Sequence, residues 1–188
     1  LEKFKRNIFN ILVVTDLASR GLDIPFVSVI IHYDFPQNIK TFIHRSGRTA
    51  RAGKTGTIYS LITVKEIMYI QEILLHVGRK LSSSVDDLND TNKAIYGLIP
   101  IQFVNKIVEQ LGFLIDEDIE IRKMKEIADR AFKKFLKSRV SASKASIRNC
   151  YLVNLNAVHP KCKENKMYFE AVESEQKILE ELKNYKPT

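Results

Sequence analysis

The chain has 188 residues, 45% of them hydrophobic and 28% charged, enough for one domain with an extension or for two small domains. No apolar run approaches the roughly 20 residues that span a bilayer, and no signal peptide is visible, so no membrane partner is expected. Thirty Lys/Arg against 22 Asp/Glu leave a net charge of +8, which points to a polyanion, most simply nucleic acid.

The excess is uneven. Residues 1–60 carry +5, residues 61–118 carry −4, residues 119–148 carry +7 and residues 149–188 are neutral. Two basic blocks therefore flank an acidic connector. The two cysteines, Cys150 and Cys162, read as reduced intracellular thiols rather than a disulfide framework. His159 and Cys162 stand three apart, but a metal would need two more ligands. The chain opens on Leu1 and "LEKFKRN", the end of a helix, and is read as a piece of something longer.

In chain order, "NILVVTD" (10–16) is a β-branched apolar run ending in Thr-Asp, predicted to be a buried parallel strand. "VSVIIHYDFP" (27–36) is a second strand, stopped by Pro36. "TFIHRSGRTARAG" (41–53) is predicted as a helix, with Thr41 as cap and Gly53 as stop. "GTIYSLIT" (56–63) is a third strand. "VKEIMYIQEILLHVG" (64–78) is a helix with Ile67, Ile70, Leu74 and Val77 on one stripe, stopped by Gly78. Strands alternating with helices imply a parallel α/β sheet whose ligands lie at the carboxyl ends of the strands.

Beyond Gly78 the character changes. Residues 82–100 are polar and acidic with no clear period and read as a connector. "PIQFVNKIVEQLG" (100–112) is a helix started by Pro100 and ended by Gly112. Residues 116–139 form the longest helix, acidic at its start and basic at its end as the macrodipole favours. Its stripe is Ile121, Met124, Ala128, Ala131 and Phe135. Its other faces carry Lys123, Arg130, Lys133, Lys134 and Lys137. A short capped helix (141–152) and an amphipathic helix of mixed charge (171–185) follow.

Two stretches carry chemistry. "TDLASRGLDIP" (15–25) follows the first strand and "HRSGRTAR" (44–51) follows the second. On a continuous helix His44, Arg48 and Arg51, at i, i+4 and i+7, share one face, with Arg45 about 100° away. Like charges kept on one face suit an anion. Guanidinium stays protonated, presents a bidentate fork and matches the charge that develops in phosphoryl transfer. Gly21 and Gly47 leave room for backbone to approach a phosphate, Asp23 is an acceptor suited to a sugar hydroxyl, and Thr15 offers a hydroxyl to a nucleic-acid phosphate. "AGKTG" (52–56) lacks the strand-to-helix setting of a phosphate loop and reads as a turn.

"VVTDLASRGLDIP" and "HRSGRTARAGKTG" resemble motifs V and VI of superfamily 2 helicases, in detail those of the DEAD-box ATP-dependent RNA helicases, over about residues 1–78. The resemblance implies α/β architecture: a partial RecA-like parallel sheet with flanking helices (1–78), then an acidic connector (79–118) and a mainly helical basic extension (119–188). It implies Arg48 and Arg51 as arginine fingers for ATP, His44 as a link between lobes, and Gly21 and Asp23 at the nucleotide. Thr15, Arg20 and the Gly21 backbone would contact RNA, and Arg45 would pair within its own lobe. The cofactor would be ATP with Mg2+, the metal held mainly by a first RecA-like lobe that lies outside this chain, so the chain alone would be inactive.

"YGLIP" (96–100), "KEIADRAFKKFLKSRVSASKASIRN" (125–149), "HP" (159–160) and "ILEELKNYKP" (178–187) resemble the extension of the nucleolar branch that includes fungal DEAD-box protein ten and animal DEAD-box protein fifty-four. That implies a nuclear, nucleolar protein acting on pre-ribosomal RNA, with pre-ribosomal proteins as partners, in assembly of the large subunit. A second reading is a non-catalytic RNA-binding or scaffolding module acting through residues 119–150, with Lys133, Lys134 and Lys137 on rRNA phosphates. A DNA-directed superfamily 2 helicase is the weaker alternative.

Overall fold

The computed structural model describes residues 1–16, 26–50 and 53–164. These fall into two compact units, 1–77 with 142–151 and 78–141 with the residues from 152 onward.

In the first unit the helix α1 (Glu2–Lys5) is followed by the strand β1 (Val29–His32), the helix α2 (Ile39–Ser46), the strand β2 (Thr57–Ser60) and, after a 3-10 turn at Val64–Glu66, the helix α3 (Ile67–Val77). β1 and β2 pair in parallel, Val29 with Thr57 through His32 with Ser60. The helix between them is the crossover that a parallel pair requires. Glu66, itself buried, accepts from the Thr63 amide (3.0 Å) and hydroxyl (3.1 Å) and starts α3. Gly78, at φ +70°, ends it in the left-handed conformation that glycine adopts without penalty. Ile67, Ile70, Ile73 and Leu74 form the core with Phe35, whereas Val77 of the predicted stripe is exposed.

The helix α6 (Lys144–Cys150) packs on α3. Ser143 caps it by accepting from the Ser146 amide, and the Glu72 carboxylate accepts from the Ser143 amide (2.9 Å) and the Ser146 hydroxyl (2.5 Å). Those serine hydrogen bonds hold the Glu72 carboxyl below its usual range.

In the second unit, residues expected to be a structureless connector instead carry a short parallel pair, β3 (Lys80–Ser82) with β4 (Lys93–Ile95). The intervening loop is closed by Asp87, which binds the Ser82 hydroxyl (2.5 Å) and the Lys93 ammonium (2.6 Å). Three-residue strands are too short to show a period, so polar composition hid them. The "YGLIP" and "HP" stretches come together. Leu98 bridges Val158, with the Leu98 amide donating to Ala157 O (2.7 Å) and the His159 amide to Leu98 O (3.0 Å). A Cβ on Gly97 would lie 2.3 Å from the His159 Cα, so this approach of two backbones needs glycine. Pro160 is buried at the start of the helix α7 (Pro160–Lys163).

Two helix boundaries differ from expectation. The helix α4 (Ile101–Glu117) runs through Gly112, and α5 (Ile119–Ser138) begins at Asp118 rather than 116. A helical glycine costs only about 1 kcal/mol. Asp118 accepts from the Glu120 (2.8 Å) and Ile121 (3.1 Å) amides and makes the stronger boundary. The predicted helix 171–185 lies outside the described residues.

Two further expectations are corrected in the first unit. Residues 11–15 form no strand: Ile11 and Val13 are 82% and 91% exposed, and no strand among the described residues pairs with them. β-branched propensity does not make a strand without a ladder partner. The helix predicted over 41–53 starts at Ile39, capped by Asn38, whose side chain accepts from the Thr41 amide (2.9 Å), and stops at Ser46.

Candidate functional site

The early stop of α2 decides the layout of the basic stretch. Gly47 is the C-cap, and its amide donates to Ile43 O (2.8 Å). The chain then turns back towards β1. The Val27 amide donates to Arg48 O (3.2 Å), and the buried Thr49 hydroxyl donates to Val27 O (2.5 Å). A threonine hydroxyl bonded to the backbone of a neighbouring segment competes with continuation of the helix. Ala50, at φ +54°, completes the departure. On the far side of the turn Gly56 passes so close that a Cβ there would lie 1.9 Å from Thr49 Oγ1 and 2.9 Å from the Ala50 amide nitrogen.

His44 and Arg48 therefore do not share a helical face. His44 is exposed on α2, whereas Arg48 is half-buried in the turn that follows. Arg51 lies outside the described residues, as do Arg20, Gly21 and Asp23. Thr15 is exposed and has no regular structure.

Arg45 is aimed into its own unit. Its Nε and Nη2 donate to the two carboxylate oxygens of Asp16 (2.6 and 2.7 Å), and its Nη1 donates to Asp34 O (2.8 Å). This bidentate fork ties the end of "VVTD" to α2 and sets Thr15 beside the basic helix. The sequence places Asp16 with Thr15 at the ligand edge of the sheet, whereas the structure engages its carboxylate with Arg45.

His32 was missed altogether. It is 2% exposed, its Nδ1 lies 3.0 Å from Ser60 Oγ across the β1–β2 ladder, and its ring meets Phe42 edge-on at 5.1 Å. Its Nε2 has no hydrogen-bond partner. Burial, aided by the Arg45 charge and opposed by Asp16, pushes its pKa down to about 4. The neutral ring thus lies within electrostatic reach of Arg45 and Asp16. Nothing in the alternation of "VIIH" distinguished it from an exposed strand-end histidine.

Lys133, Lys134 and Lys137 are exposed on α5, in the second unit. A hollow of about 430 Å³ among Leu114, Glu117, Asp118 and Ile119 to Ile121 lies in that unit too and contains none of the candidate residues. Among the described residues no three His, Cys, Asp or Glu side chains lie together as metal ligands, so none is assigned to Mg2+. A turn that carries a guanidinium on an immobilised backbone fits a phosphate.

Residues 1–53 match the helicase conserved C-terminal domain. The whole chain aligns with ATP-dependent RNA helicase DBP10 of Ajellomyces capsulatus at 39% identity, covering 21% of that protein. It aligns with ATP-dependent RNA helicase ddx54 of Dictyostelium discoideum at 34%, covering 17%. The chain belongs to the DEAD-box RNA helicases. In dbp10 of Schizosaccharomyces pombe, 79% of the chain aligns at 35% identity with 18% of the protein. The chain thus spans about a fifth of the length of the curated relatives it matches. Yeast DEAD-box splicing factor Prp28 is similar over 56% of this chain and 21% of its own, with 30% identity and a TM-score of 0.41. The first unit, with its parallel strands and flanking helices, contains a part of a RecA-like lobe.

Proposed function

We propose that this chain is the finger-bearing part of an ATP-dependent RNA helicase, acting on ATP bound chiefly by a first RecA-like lobe. The observation that carries the reading is the pinned turn at 47–50. The Arg45–Asp16 fork on one side and the Thr49–Val27 bond on the other immobilise the backbone that presents Arg48. Positioning without reorganisation is what electrostatic stabilisation of a phosphoryl transition state needs. In this reading Arg48 and Arg51 meet the γ-phosphate and His44 faces the first lobe. Asp23 and Gly21 meet the nucleotide, and Thr15, Arg20 and the Gly21 backbone hold RNA by its phosphates. Mg2+ would be held by residues of the first lobe, where it would offset charge on the phosphates. No G-x-x-x-x-G-K-[ST] occurs in the 188 residues, so the chain alone is inactive.

The test is RNA-stimulated ATP hydrolysis by the full-length protein. Arg51→Lys lowers turnover by about tenfold or more, because lysine cannot form the bidentate contact. Turnover within about twofold of the parent would falsify the finger assignment.

From the resemblance of the stretches at 96–100, 125–149, 159–160 and 178–187 to a nucleolar branch, we further propose a nucleolar protein that remodels pre-ribosomal RNA for the large subunit, among pre-ribosomal proteins. Crosslinking of the full-length protein to RNA in cells tests this. Enrichment on large-subunit precursors is expected, and enrichment on messenger RNA alone overturns it.

The basic helix α5 favours a second, compatible reading as an RNA-backbone surface. Lys133, Lys134 and Lys137 are exposed, and three anions cannot neutralise its seven cations. Replacing all three by alanine makes the slope of log affinity against log salt shallower by about 0.7 for each RNA phosphate that they neutralise. An unchanged slope removes the surface from RNA binding.

A further inference from the structure

The chain leaves the first unit after Val77 and returns to it at Ala142, and the returning segment is held by side chains of α3. A single oxygen of the Glu72 carboxylate accepts from both the Ser143 amide (2.9 Å) and the Ser146 hydroxyl (2.5 Å). One residue earlier on α3, Gln71 Nε2 lies 3.5 Å from Asn149 O, near the other end of α6. Ser146 is wholly buried. The partners are 71, 74 and 78 residues apart in the chain, so no local preference brings them together.

Two properties make this contact an on–off element. α6 has seven residues. Isolated helices shorter than about 12–15 residues are marginal in water, so α6 is a helix only while α3 holds it. The hold is also concentrated. Loss of one carboxylate withdraws the acceptor from a backbone amide and from a buried hydroxyl at once.

What α6 holds bears on the basic turn. α3 packs against α2 as well as against α6. Phe42 of α2 meets Phe35 of the same core, with ring centroids 6.4 Å apart, and the C-cap of α2 opens the turn that presents Arg48. A helix clamped by α6 therefore supports the element that ends in the turn.

We propose that α6 is a latch through which the extension controls ATP hydrolysis. Docked on Glu72 and Gln71, it holds α3 against α2. Released, it unfolds, and the Arg48 turn loses its fixed position. The control rests on the reading that Arg48 meets ATP. A chain cut between residues 78 and 142 loses this part of its first unit together with the basic helix.

The test is made on the full-length protein with Glu72→Ala, Glu72→Gln and Ser146→Ala. Glu72→Ala speeds amide exchange across 143–150 by about tenfold or more, while β1–β2 amides exchange as in the parent. It also lowers kcat of RNA-stimulated hydrolysis by about threefold or more, with KM for ATP within about twofold of the parent. Glu72→Gln keeps an acceptor oxygen and recovers most of both. Ser146→Ala changes both in the same direction by less, and decides the question should Glu72→Ala fail to fold. Parental exchange across 143–150 overturns the latch. So does faster exchange that extends to β1–β2, which makes the contact part of global stability. Arg48→Lys, measured alongside, separates the two readings. Parental kcat in Arg48→Lys overturns the finger assignment. Lowered kcat in Arg48→Lys with parental kcat in Glu72→Ala overturns the latch alone.

Discussion

The turn at 47–50 and the helix α5 are both basic, yet they hold their cations in opposite ways. In the turn the backbone is bonded to Val27, just ahead of β1, and Arg45 is locked onto Asp16. On α5 the lysines project from a helix that buries nothing. Fixed cations suit the stabilisation of charge that develops at one point. Exposed, mobile cations suit a polyanion of repeating phosphates, where position matters less than number. Charge counts alone ranked α5 first, whereas tertiary contacts single out the turn.

That contrast is most sharply tested by acid. His32 has a folded pKa of about 4 against 6.5 unfolded. Below pH 6.5 the unfolded chain takes up a proton that the folded chain refuses. The first unit therefore loses about 3 kcal/mol as pH falls from 6.5 to 4, and the loss levels off below that. Denaturant titrations at pH 7 and pH 4.5 measure it, and His32→Gln flattens the dependence in that window. The helicity of α5, with no histidine, does not follow this curve.

Gly56→Ala comes next. Its Cβ would meet Thr49 Oγ1 and the Ala50 backbone, so the turn shifts at a cost of about 1–3 kcal/mol, read as a lower Tm. ATP hydrolysis by the full-length protein falls with it, because the backbone of Arg48 moves. A normal Tm with normal hydrolysis would show that the turn is not rigid. Arg45→Ala removes a fork in which Arg45 and Asp16 are partly exposed (23% and 41%), so solvent screening limits the loss to about 1–2 kcal/mol. Smallest of all is Lys133→Ala with Lys134→Ala and Lys137→Ala. Exposed helical substitutions change stability by less than about 0.5 kcal/mol, and a larger change would place those side chains in packing rather than at a partner.

Much of this was legible in the residues. The β1–α2–β2–α3 alternation, the Gly78 stop and a short capped helix before Leu152 follow from local chemistry that a few neighbouring residues settle. The extent of α2 was not legible. "TFIHRSGRTARAG" has helical spacing throughout, and only the segment that Thr49 reaches at Val27, 22 residues earlier, ends it at Ser46. The strand at 10–16 failed for the converse reason, since a strand exists only when another chain segment accepts its hydrogen bonds.

By itself, then, the sequence determined the family, the alternating α/β order and which residue types meet an anion, because these depend on side-chain identity and short spacings. Tertiary structure decided that Arg48 sits in a pinned turn rather than on a helical face, that His32 is buried and neutral, and that "YGLIP" meets "HP" through Gly97. Each of these is a meeting of segments more than ten residues apart, where neither partner's own neighbourhood records the other.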